Sequence, residues 1–88
     1  MSTLTKPTVH LNGTSRARLL GGYCDAATAV RAAQDALSAD AAPNARDYYT
    51  QSDGAFADAN REHVERIRLL QNVIDDLNER ALHVSRAP

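Results

Sequence analysis

The chain is poor in the residues that staple or fill most small proteins. Its 88 residues include one cysteine, one phenylalanine, three tyrosines and no tryptophan. A lone Cys24 excludes an intrachain disulfide. No apolar run approaches the ~18 residues that cross a bilayer. The opening stretch, MSTLTKPTVHLNGTS, lacks the basic-then-apolar layout of a secretory signal. A cytoplasmic location is therefore expected, and the Asn12-Gly13-Thr14 sequon carries no glycosylation meaning. The formal net charge of −1 gives no reason for wholesale attraction to nucleic acid or to an anionic membrane. Arg16, Arg18, Arg61, Arg66 and Arg68 are interleaved with Asp25, Asp58, Glu62 and Glu65, so no basic stripe forms.

Catalytic signatures are missing too. There is no glycine-rich phosphate loop and no nucleophile elbow, and Gly21-Gly22 has neither a preceding strand nor the right spacing. The carboxylates are scattered and offer no isolated acid–base pair. His63 has no histidine or cysteine three or four residues away, so neither a metal site nor a cofactor is implied. Cys24 has no nearby histidine and reads as a small hydrophobe. These absences point away from an enzyme.

What is present is alanine, arginine and helical periodicity. Nine of the ten basic residues are arginine. A GC-rich genome explains this as well as a need for planar phosphate clamps does. Residues 1–13 have no period and read as an extended arm, with Thr14 or Ser15 ready to cap a helix. From 16 to about 40, Leu20, Tyr23, Ala27, Val30 and Leu37 recur at steps of three and four, with Gln34 at the skipped position. Gly21-Gly22 costs this helix roughly 1 kcal/mol per glycine and predicts either a bend or a start at Tyr23. Pro43 and Asn44 break the pattern, giving a loop over 41–53. From about 54 to 84, Phe56, His63, Leu70, Leu77 and Val84 stand seven apart, with Ile67, Ile74 and Ala81 on one flank and Ala59 and Val73 on the other. The fold class is all-α, an antiparallel helical hairpin with an extended N-terminal arm.

Two helices cannot enclose a core, so homo-oligomeric assembly into a helix bundle, as a dimer or larger, is expected. At 1.5 Å per residue the helices run about 36 and about 45 Å. The mismatch predicts an overhang after about Arg80, covered by the arm or by another chain. In this register His63 stands opposite roughly Val30. A histidine on an apolar stripe reads first as a core residue, and second as a ligand or subunit contact.

The loop concentrates Asn44, Arg46, Asp47, Tyr48 and Tyr49 within six residues. Arginine clamps phosphate, tyrosine stacks on bases, and asparagine and aspartate pair with polar edges, a set that suits a nucleotide-like ligand. The same residues suit a structural role, with the tyrosines plugging the hairpin end and Arg46 pairing with Asp47.

Several segments also resemble a known set. These are His10-Leu11-Asn12-Gly13-Thr14, the helix opening at Leu19-Leu20, Pro43-Asn44-Ala45-Arg46-Asp47-Tyr48-Tyr49, and Glu62-His63 with Arg66. Together they resemble short phage and prophage helical-hairpin proteins with no assigned activity, whose loop usually reads Pro-Asn-Gly-Arg-Asp-Tyr-Tyr. Ala45 replaces that glycine here, and Gly21-Gly22 departs from a place that is usually strongly helical. The plan is also similar to the phage anti-CBASS and anti-Thoeris sponges. That resemblance implies a phage-encoded anti-defence oligomer that sequesters a cyclic oligonucleotide or cyclic ADP-ribose signal in the host cytoplasm. The resemblance aligns no ligand residues; on the chemistry of the loop they would be Asn44, Arg46, Asp47, Tyr48 and Tyr49, completed from a neighbouring chain by His63, Arg66, His10, Asn12 and Thr14. The alternative is a phage protein-interaction module that inhibits or adapts a host protein. It is motivated by a long apolar stripe that outruns its partner helix.

Overall fold

The computed structural model describes residues 4–88, so the first three residues of the expected arm lie outside the described residues. The structure is a helical hairpin. Helix α1 spans Arg16–Ser38, a 3₁₀ turn spans Ala45–Asp47, and helix α2 spans Ala55–Ser85. Ser15 caps α1, its side chain accepting from the Arg18 amide at 3.2 Å. The helix runs through Gly21 and Gly22, so the expected start at Tyr23 is not seen; no described glycine has positive φ.

Cross-helix contacts fix the register. Gln34 Nε2 donates to the Ile67 carbonyl at 3.2 Å and to Gln71 Oε1 at 3.1 Å. Tyr23 neighbours Arg80. Arg16 reaches the last residues, donating to the Ala87 carbonyl and, at 3.0 Å, to that of Pro88. Residue 16 therefore faces 87 and residue 23 faces 80, which sets Val30 opposite the Val73–Ile74 turn. Two expectations are corrected. His63 lies opposite the end of α1, beyond Leu37, not opposite Val30. The overhang is at the opposite end of α2: its first ten or so residues outrun α1, and the loop rather than the arm lies there. The reason is the 16-residue connection between the helices. It is long enough to let α2 begin well past the end of α1, whereas a tight turn would have aligned those two ends.

The core is thin. Buried apolar residues are Ala27, Ile74, Ala81 and Val84, with Ile74 and Val84 at 0% exposure. Ala27 comes from α1, and the other three belong to the α2 seam His63, Ile67, Leu70, Ile74, Leu77, Ala81 and Val84, alternating steps of four and three that keep one stripe facing α1. Val73, expected on the flank of that stripe, is 45% exposed. The molecule measures 61 × 25 × 16 Å, with a radius of gyration of 18.4 Å. A compact 88-residue domain would have a radius near 12 Å.

The arm runs back along the C-terminal turns of α2. Arg80 donates to the Thr5 carbonyl at 2.5 Å, His83 Nε2 donates to that of Pro7 at 3.0 Å, and Lys6 pairs with Glu79 at 3.6 Å. A turn follows, in which the Gly13 amide donates to the His10 carbonyl at 3.1 Å. The His10 ring lies over Gly13 so closely that a Cβ there would stand 2.6 Å from Nε2.

Candidate functional site

The loop cluster is built around Asn44. Its Oδ1 accepts from the Arg46 amide at 3.1 Å, which starts the 3₁₀ turn, and from Arg46 Nε at 3.4 Å. The Arg46 guanidinium thus turns back on Asn44, not onto Asp47 as a local pair would require. Tyr48 is half-buried and tilts its ring at 49° to Phe56, with centroids 6.5 Å apart. That contact closes the loop end of the hairpin. Tyr49 does not share the task, being 73% exposed. Asn44, Arg46 and Asp47 are also exposed.

The other predicted residues are elsewhere. His63 is buried on α2, with Nδ1 lacking a hydrogen-bond partner. Arg66 is exposed on the following turn. His10, Asn12 and Thr14 are exposed beside the start of α1. The 23 residues of α1, about 34 Å of helix, separate that arm from the loop. Within one chain the ten residues therefore fall into two groups: the loop residues with His63 and Arg66, on the part of α2 near the loop end, and the arm residues at the other end.

Concave surface lies partly at residues outside the expected site. A cleft of about 500 Å³ sits between the arm and the end of α2. Its basic groups are Lys6, His83 and Arg86, its carboxylate is Glu79, and Leu82 and Val9 form its apolar wall. None of these was singled out by sequence, because an arm without periodicity does not reveal which helix face it will cross. A shallower hollow of about 280 Å³ adjoins the loop at Tyr48 and Ser52, but it presents Asp58 and Glu62, the wrong sign for a phosphate. A third, about 430 Å³, is an open groove on α2 around Leu69, between Glu62 and Arg66.

Electrostatics along α2 are local. Arg68 beside Glu65 holds that carboxyl below the usual glutamate range, chiefly through their hydrogen bond, and the Arg68 pKa is raised in return. The Arg80 guanidinium is likewise raised, first by its hydrogen bond to Asp76 at 2.6 Å. Cys24 is exposed. Among the described residues no group of three or more His, Cys, Asp or Glu could hold a metal ion. No helix among them is long and apolar enough to cross a membrane.

No protein-family model, curated protein or solved structure matches the chain. The functional reading therefore rests on its own residues.

Proposed function

We propose that the chain is a non-catalytic interaction module whose working form is a self-assembled bundle of hairpins. The observation that carries this reading is surface. The chain exposes 6405 Å², whereas a compact monomer of its 9.5 kDa mass exposes about 5,000 Å². Apolar side chains contribute to it: Val64, Leu69, Val73 and Leu82 on α2 are between 45% and 58% exposed. A hairpin this open gains most by burying its faces against protein. Affinity capture from host lysate followed by native mass spectrometry tests the reading. A dimer or larger assembly of the chain is expected, with any captured partner at fixed stoichiometry to it. If only free chain is recovered at every concentration, the reading fails.

A second reading, the nucleotide sponge, is favoured by one observation. Arg46 and Tyr49 are exposed and the hairpin does not need them, beyond the link from Arg46 to Asn44. A phosphate clamp and a stacking ring would then stand ready at the loop, with His10, Asn12 and Thr14 supplied by a second chain. Calorimetric titration with cyclic di- and trinucleotides and with cyclised ADP-ribose tests it. Heat that disappears in Arg46→Ala supports the sponge, and no heat with any of these ligands ends it.

A further inference from the structure

We propose that a second copy of this chain docks antiparallel on one face of α2, exposed at Glu62, Arg66, Leu69 and Val73 and half-buried at Asp76 and Arg80, around a two-fold axis near residue 71. Glu62, Arg66, Leu69, Val73, Asp76 and Arg80 follow one another at steps of four and three, so they share one stripe of the helix. This stripe lies beside the seam that packs on α1, with the half-buried Leu70 and Leu77 between the two.

Read in the two directions, the stripe is complementary to itself. Reversed against a second copy, Glu62 meets the copy's Arg80 and Arg66 meets its Asp76. Leu69 meets Val73, and the two-fold axis repeats each pair. All charged positions meet the opposite sign, and the apolar pair falls at the centre. An isologous interface has this property, each residue pair occurring twice. Spacing of four and three is also what two helices need to mesh in an antiparallel coiled coil. Neighbouring charges on α2 are already matched within the chain, Asp58 with Arg61 and Glu65 with Arg68. Glu62 and Arg66 are four apart, yet form no ion pair with each other. They are left for a partner. Asp76 and Arg80 do pair with each other, and Arg80 also donates to the Thr5 carbonyl and meets Tyr23, so docking would add the copy's Glu62 and Arg66 to charges already held within the chain, making a four-charge chain at each end of the interface.

The area agrees. A stable interface buries about 800 Å² on each partner. The 6405 Å² of the lone chain exceeds the expectation for a compact monomer by more than that, about 1,400 Å². The arrangement also has a consequence for the scattered site residues. Antiparallel docking sets the arm end of one copy beside the loop end of the other. His10, Asn12 and Thr14 of the second copy then lie at the same end of the bundle as Arg46 and Tyr49, which one chain alone keeps a helix length apart.

The test is a charge exchange that leaves composition and net charge unchanged. Sedimentation equilibrium on the full chain is expected to give twice the 9.5 kDa chain mass. The variant Glu62→Arg/Arg66→Glu opposes like charges at four places and should raise the dimer dissociation constant at least ~tenfold, with helix content by circular dichroism unchanged. Adding Asp76→Arg/Arg80→Asp restores opposite signs and should return the constant to within about threefold of the original. The exchange Asp76→Arg/Arg80→Asp by itself also removes the Arg80 bond to the Thr5 carbonyl, so it serves as the control and should weaken the dimer at least as much as the first exchange does. A dimer or larger oligomer indifferent to the first exchange overturns the proposal, and so does a quadruple variant that dimerises no more tightly than either double variant. The proposal rests on the self-assembly argued above, and the two fail differently. A monomer at every concentration ends both, whereas an oligomer indifferent to the exchange ends only the α2 face.

Discussion

Gly21 and Gly22 offer a direct measure of what surrounds α1. Both lie inside the helix with ordinary backbone angles, and both are exposed. A Cβ built at either position meets nothing within 4 Å. Within one chain, alanine there therefore costs no steric clash and gains helix propensity. Each replacement is worth about 1 kcal/mol, and the double variant Gly21→Ala/Gly22→Ala about 2 kcal/mol. For a domain of this size each kcal/mol moves the melting temperature by about 4–8 °C, so the double variant should melt roughly 8–16 °C higher. Thermal melts followed by circular dichroism check this, with both proteins at one concentration because assembly itself shifts Tm. A melting temperature that stays put or falls would refute the reasoning. It would mean that another chain approaches α1 closely at the glycines, and that α1 rather than α2 carries the main subunit contact.

Three further outcomes follow from the same coordinates. Ile74→Ala empties a fully buried position in a core of four apolar residues and should cost about 2–5 kcal/mol in urea unfolding, while Val64→Ala, at 58% exposure, should cost no more than about 0.5 kcal/mol. His63→Leu removes a buried Nδ1 that has no hydrogen-bond partner and should stabilise the chain by about 1–2 kcal/mol; a loss instead would show that a second chain satisfies that nitrogen. The Glu65 carboxyl is held low by Arg68, so the pair contributes above the ordinary glutamate range and loses its contribution as pH falls through the lowered value. Glu65→Gln should therefore melt slightly below the wild-type chain at neutral pH and level with it at a pH of about 2, and a difference that persists in acid would contradict the assignment.

The helices themselves were legible because their signal is local. Steps of three and four at Leu20, Tyr23, Ala27 and Val30, and the seven-residue spacing of Phe56, His63, Leu70, Leu77 and Val84, dictate which face of each helix is apolar whatever it packs against. Capping at Ser15 is equally local, since it depends on one side chain and the adjacent backbone, whereas α1 ends at Ser38, ahead of the break expected at Pro43. The polar loop was legible for the same reason, as composition within six residues.

Register and proximity were not legible, because they depend on what the chain does between the helices. The residues joining α1 to α2 could have closed tightly or run on. Because they run on, α2 starts past the end of α1, and His63 comes to the loop end instead of facing Val30. Periodicity fixes a face but not a position along it, and sliding two stripes by a turn conserves every apolar contact type. Polar bonds decided the choice here, through Gln34 on the Ile67 carbonyl and Arg16 on the last two carbonyls of the chain. The path of the arm was likewise a tertiary outcome. Its carbonyls at Thr5 and Pro7 meet Arg80 and His83 only once α2 presents those side chains one turn apart. The sequence by itself therefore determined two amphipathic helices, the Ser15 cap and a polar connection. Tertiary structure decided their register, the overhang under the loop and the separation of arm from loop, because these depend on contacts between segments far apart in the chain.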